Sequence, residues 1–181
     1  PITDELAGRI PATLELLFSG MFIAILFGVP LGVLSARWQG RPFDWMVRVL
    51  SIVGVSMPAF FLGLIFQIVF FRNLELLPLA GRVDSDLRFT APLTEITGFI
   101  LLDSTLTSNW VTLKDAFLHL ILPALTLAAY PIGLIARMTR AAMLEVLGQD
   151  YIRTARAYGI RQYIVIYFYA LKNAISPTLT V

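Results

Sequence analysis

Four apolar runs decide what this chain can become: Ala12–Ala36, Trp45–Phe71, Ala116–Arg137 and Ile164–Val181. Each is long enough, or nearly so, to cross about 30 Å of hydrocarbon. Inside lipid no water satisfies amides and carbonyls, so a crossing segment must close its hydrogen bonds within itself, and these runs exceed the roughly 9–11 residues of a barrel strand. The chain is therefore read as all-α, a polytopic transmembrane helix bundle. Composition agrees, with 57% hydrophobic residues and a mean hydropathy of +0.78, against about 45–50% apolar content in soluble domains. Charged residues gather between the runs, which excludes a single oversized soluble core. The first run is too long for the apolar part of a signal peptide and lacks a small-residue cleavage site before a soluble domain.

Basic residues orient the spans, because Lys and Arg are retained on the cytoplasmic side. The Ser35–Asp44 turn carries Arg37 and Arg41, with Arg48 just inside the next span, and Arg137, Arg140, Arg153, Arg156 and Arg161 follow the third. Both segments belong inside. The Arg72–Asp115 loop holds six acidic residues against four basic ones, and parity places it outside together with the first residues of the chain. The expected localisation is the cell inner (plasma) membrane, multi-pass. Basic residues beside spans serve topology, so no nucleic-acid partner is expected. The start on Pro1 and the stop of the last span at Val181 lead us to expect a chain truncated at both ends, with at least one earlier helix missing.

In the first span Gly20, Ala24, Gly28, Gly32 and Ala36 recur every fourth residue. Small residues so spaced let a second backbone approach closely, which is how helices associate when lipid removes the hydrophobic drive. Ala59/Gly63 and Ala129/Gly133 are shorter versions. Prolines within the spans, at Pro30, Pro58, Pro123, Pro131 and Pro177, each remove a backbone donor and can bend a helix.

Catalytic chemistry is missing. No G-x-x-x-x-G-K-[ST] loop exists to cradle a nucleotide, so the chain does not hydrolyse ATP by that route. There is no cysteine, and the only histidine, His119, has no second histidine for a metal site; it reads as an interfacial anchor or a local hydrogen-bonding group. The spans lack the serine–histidine or paired-aspartate sets of intramembrane proteolysis. Glu15, one turn into the first span, is the sole candidate for proton coupling and reads instead as an interfacial or contact residue. What remains is a passive pathway, not an enzyme, driven by another protein.

One polar helix interrupts the apolar pattern. Asp150 stands as N-cap, Gly159 as the left-handed residue after the helix, and the eight residues between make about 12 Å of helix. Tyr151, Ala155 and Tyr158 share one face, with Arg153 and Arg156 on another. A helix this short needs tertiary support. Its residues alone allow two readings, a topogenic cytoplasmic loop or a knob that fits a soluble motor.

The run MLEVLGQDYIRTARAYGI, followed by ALKNAISP, resembles the cytoplasmic loop of permease subunits in binding-protein-dependent ABC importers of the dipeptide/oligopeptide/nickel group. RIPATLELL, GVPLGVLSA, LSIVGVSMPAFFLG, LPLAGR, TGFILLD and HLILPALTLA match that family in order and with similar spacing over almost the whole chain. In the family's EAA motif the glycine corresponds to Gly159 and the opening Glu-Ala-Ala to Arg153, Thr154 and Ala155. Tyr169 replaces a frequent histidine, and Tyr163, Ile164 and Phe168 make the exit of the loop more apolar.

The resemblance implies a MetI-like ABC permease fold, with residues 1–181 as one transmembrane domain and 138–163 as its coupling loop. It implies that Asp150, Tyr151, Arg153, Thr154, Ala155, Arg156 and Gly159 contact an ATPase. Implied partners are a second homologous permease, two cytoplasmic ABC ATPases that use ATP and Mg, and an extracytoplasmic solute-binding protein, with no cofactor on this chain itself. The binding protein would meet short interfacial helices in the Arg72–Asp115 loop, near LPLAGR and Trp110. The expected cargo is di- and oligopeptides; nickel or another solute of the same family is the alternative, and a non-transporting membrane scaffold is the alternative of another class.

Overall fold

The computed structural model describes the backbone of residues 2–79, 81–94 and 96–179, and among these the side chains of 8–79, 81–87, 89–94 and 96–175. Ala80 of the LPLAGR run, Glu95, residues 180–181 of the last expected span and the side chain of Pro177 lie outside that description.

Helices account for all regular structure among the described residues. The first apolar run lies within α1 (Ile2–Arg37) and the third within α6 (Trp110–Leu147). By length and composition, Gly8–Arg37 and Trp110–Leu147 suffice to cross a membrane. The second run, expected as one helix, is broken into α2 (Pro42–Ser56) and α3 (Ala59–Phe66), the latter continued by a π-helical stretch, Gln67–Asn73. Pro58 is the reason: it has no N–H to donate, and its ring pushes the preceding residue out of the helical region, so Met57 is extended at φ −81° and ψ 133°. A third span results if these two pieces count as one. Pro30, Pro123 and Pro131, by contrast, lie within continuous helix. Two short helices, α4 (Leu87–Thr90) and α5 (Ile100–Leu106), occupy the acidic loop. After α6 come α7 (Asp150–Ala157), α8 (Gln162–Ile164), a π-helical stretch (Val165–Ala170) and α9 (Leu171–Leu179).

The chain divides into two compact units, Pro1–Phe22 with Pro58–Leu127 and Ile23–Met57 with Ala128–Val181. In the first, Ala116, Leu122 and Ala124 of α6 are buried. A Cβ on Gly20 would lie 3.2 Å from the Leu127 side chain, and one on Gly63 would lie 3.3 Å from Thr126.

The second unit is built on much tighter helix contacts. Ala24 and Ala128 are fully buried and share a core with Ile135. A Cβ on Gly28 would stand 2.8 Å from Ile135, and one on Gly32 would stand 2.6 Å from Thr139 Cβ and 2.7 Å from the Ala136 carbonyl. Four residues along α1 match four along α6, so the two helices run parallel here. On the other flank of α6, Gly133 would meet the Ser51 carbonyl at 2.7 Å and Gly54 would meet that of Ala129 at 3.0 Å, which makes α2 antiparallel to α6. Such approaches need residues without side chains. Below them a larger core gathers Val33, Ala36, Met143, Ile152, Ala155, Val165, Ile166, Ala170 and Ala174.

Candidate functional site

Helix α7 is eight residues long and strongly polar, yet it is held firmly. Ile152 and Ala155 are the anchor: they sit 3 residues apart on one face, are 0% and 5% exposed, and enter the core with Val33, Met143 and Val165. Of the expected Tyr151–Ala155–Tyr158 face only Ala155 is buried, because Ile152 supplies the other apolar contact. Tyr151 reaches sideways instead, and its hydroxyl accepts from Asn173 Nδ2 at 2.8 Å. Asn173, in the ALKNA run, also donates to the Tyr169 carbonyl and so ties α7 to α9.

The helix begins one residue earlier than expected. Gln149 is the N-cap, extended at φ −71° and ψ 152° with no capping hydrogen bond from its side chain, and Asp150 is the first helical residue. The Gly148–Gln149 turn, whose amides donate to Glu145 and Val146, delivers the chain into the helix at that point. Asp150 still places a negative charge on the first turn, where the exposed amides favour it. It pairs loosely with Arg153 at 3.4 Å.

At the other end Gly159 has φ +74°. The Ile160 amide donates to the Ala155 carbonyl at 3.2 Å and the Gly159 amide to that of Arg156 at 3.0 Å. This pair of bonds is a Schellman closure, and Ile160 completes it by packing on the core. No atom lies within 4 Å of a Cβ built on Gly159, so the glycine answers to backbone conformation alone. Arg153, Thr154, Arg156, Tyr158 and Gly159 are all exposed, and Tyr158 reaches 82%. The structure thus presents a cationic and aromatic ridge on a buried apolar base.

One buried polar group of this unit escaped the sequence reading. Asp44, on the first turn of α2, is 1% exposed and accepts from Ser35 Oγ at 2.6 Å, the Gly40 amide at 3.0 Å, and Arg140 Nε and Nη2 at 2.7 and 3.0 Å. Arg48 Nε stands 3.8 Å away. Only the positions of two charges far apart in the chain could have signalled it.

In the first unit, Glu15 accepts from the Leu101 amide at 2.8 Å and from Arg82 at 2.9 Å, and Arg82 also donates to the Gly98 carbonyl. Glu15 is thus a contact residue holding the acidic loop to α1. His119 Nδ1 lies 2.9 Å from the Asp115 carbonyl, the local hydrogen bond expected of it. Glu15, Arg82, Leu101 and His119 line a cleft of about 270 Å³. Asp103 is fully buried and accepts from the amides of Ile96, Thr97 and Gly98 and from the Thr97 hydroxyl. Burial acts to raise its pKa, but those donors together outweigh burial and hold the carboxyl below its ordinary value.

Residues 28–181 match the family described as binding-protein-dependent transport system inner membrane component. The chain is 49% identical over 181 residues to the probable D,D-dipeptide transport system permease protein DdpB of Escherichia coli K12, covering 100% of this chain and 52% of that protein. It is 42% identical over 181 residues to the dipeptide transport system permease protein DppB of the same strain, covering 100% and 53%. Against the di/tripeptide transport system permease protein DppB of Pseudomonas aeruginosa it is 45% identical over 180 residues, covering 99% and 52%. The chain spans about half the length of these relatives.

Proposed function

Because this chain belongs to the family of binding-protein-dependent transport system inner membrane components, we propose that it forms part of the membrane pathway by which an ATP-driven importer moves di- and oligopeptides. The peptide cargo is carried over from the relatives. ATP hydrolysis, with its Mg, belongs to two separate cytoplasmic subunits, a second permease completes the pathway, and an extracytoplasmic protein delivers the peptide. Residues 37–44 and 137–161 face the cytoplasm, and the Arg72–Asp115 loop faces outward to that delivery protein.

The single observation that carries this reading is the construction of α7, with Ile152 and Ala155 buried beneath exposed Arg153, Arg156 and Tyr158. A helix that served topology alone would need the arginines but neither the buried base nor the Schellman closure. Here the exposed ridge docks into a cleft on the ATPase. Closure of the ATPase around nucleotide displaces the ridge, and the rigid base passes the displacement on. Ile152 packs with Val165 and Ile166 at the start of the next helix, where the backbone is π-helical. Such stretches inside helices are frequent at functional sites.

The test is ATP-dependent uptake of a labelled dipeptide by the full-length permease, with its partners, in proteoliposomes. Nickel serves as competitor, and an Arg153→Ala/Gly159→Val double variant is compared with the native assembly. Uptake by the native assembly that nickel leaves unchanged and the variant loses is the expected result. Stimulation of ATP hydrolysis by nickel but by no peptide would overturn the cargo assignment, and normal uptake by the variant would overturn the role of α7.

A further inference from the structure

Asp44 is the most completely satisfied charge among the described residues of the second unit. Both carboxylate oxygens are engaged: Oδ1 takes Ser35 Oγ and Arg140 Nε, while Oδ2 takes the Gly40 amide and Arg140 Nη2. Its donors come from the last turn of α1, the following turn, and α6. The turn is shaped for this, since Gly40 adopts φ +78° and thereby aims its amide at the carboxylate.

The cluster closes two seams that meet on α6. Gly32 against Thr139 brings α1 in from one side, and Gly133 against the Ser51 carbonyl brings α2 in from the other. Small-residue seams of this kind give close approach and van der Waals contact but no directional polar bond. A bidentate arginine–carboxylate pair supplies the missing directionality, as its two parallel bonds tolerate neither rotation nor translation. One turn beyond Arg140, Met143 packs on Ile152, the anchor of α7. The clamp therefore stands where displacement of α7 would have to be shared among α1, α2 and α6.

We propose that Asp44 and Arg140 are positioning residues for energy coupling: they lock α1, α2 and α6 into one block that moves with α7. The proposal rests on the coupling reading of α7. Without the clamp α6 still follows α7 through Met143, but α2 no longer follows α6, so nucleotide-driven motion is dissipated before it reaches the pathway.

The test uses the full-length permease in its assembled importer, in proteoliposomes, and measures peptide uptake and ATP hydrolysis on the same preparation. Asp44→Asn keeps the shape of the side chain but removes its charge, while Arg140→Lys keeps the charge and loses the fork. Uptake is expected to fall about tenfold in Asp44→Asn at unchanged basal hydrolysis, so that ATP spent per peptide rises by the same factor, with Arg140→Lys intermediate. A native ratio of ATP to peptide in both single variants overturns the proposal. So does a parallel fall in uptake, hydrolysis and assembled complex, which would make the pair structural only. Failure of the underlying reading looks different, because an Arg153→Ala/Gly159→Val variant would then transport normally.

Discussion

Replacing Gly32 with alanine adds one carbon where the structure has no room for it. The new Cβ would lie 2.6 Å from Thr139 Cβ and 2.7 Å from the Ala136 carbonyl, against about 3.5–4.0 Å for a relaxed carbon–carbon contact. One obstacle is a β-branched side chain with a stiff χ1 and the other is backbone, so neither can turn aside. The helices must part by about 1 Å, which strains the neighbouring Gly28 contact and the Asp44–Arg140 bonds with it. Overpacking of this kind costs about 1–3 kcal/mol, and rigid neighbours place Gly32→Ala near the top of that range. Alanine returns about 1 kcal/mol through its better helix propensity. The expected net loss is about 2 kcal/mol, or about 5 °C in unfolding midpoint for a domain of this size. Gly20→Ala is the control, since its Cβ would meet the flexible Cδ2 end of Leu127 at 3.2 Å and the rest of that side chain only at ordinary contact distance, and the propensity gain should leave it within about 0.5 kcal/mol of native. The assay is thermal unfolding of the purified full-length permease in nanodiscs. A Gly32→Ala midpoint no lower than that of Gly20→Ala would refute the close-approach reasoning.

Gly159→Ala should cost about 1 kcal/mol from φ +74° alone, and Gly159→Asn less; hydrogen exchange of the Ile160 amide reads the loss of the closure directly. Ile152→Ala empties a fully buried site and should destabilise by about 2–5 kcal/mol, seen as protease cleavage between 148 and 161 that the native chain resists. The folded pKa of Asp103 is depressed, so its stabilisation is complete above the unfolded value of about 3.9 and is lost as pH falls through the folded value. Protection of the Thr97 and Gly98 amides should therefore hold from pH 7 down to about 4 and vanish only below it, whereas Asp103→Asn should weaken it at every pH.

Much of this architecture was legible because it follows from local pattern. Apolar length announced α1 and α6, glycine and alanine recurring at every fourth residue marked the face of α1 that meets α6, and Gly159 marked the end of α7. Other features depend on which neighbour each residue finds. Five prolines stand in the expected spans, and at Pro58, between Met57 and Ala59, the helix breaks; nothing in the residue type separates Pro58 from Pro30 or Pro131, which α1 and α6 accommodate. Asp150 outranks Gln149 as a cap by preference, yet the turn ahead of it sets the register. Asp44 and Asp103 look like ordinary loop acids beside many others, and their burial is decided by Arg140 in one case and by a local ring of amides in the other. Ile152 was visible as an apolar residue in a polar helix; its weight was obscured by the two tyrosines nearby.

On the proposed reading, α7 is the joint between this chain and a cytoplasmic ATPase. The direct measurement is photo-crosslinking in intact cells, with a photoreactive amino acid at Tyr158, 82% exposed, and for comparison at Phe89, 88% exposed, in the full-length permease. The Tyr158 probe is expected to capture a nucleotide-binding subunit, with a yield that changes when ATP hydrolysis is arrested, and the Phe89 probe is expected never to do so. Capture of the ATPase from Phe89, or of lipid alone from Tyr158 in a transport-competent assembly, would contradict it.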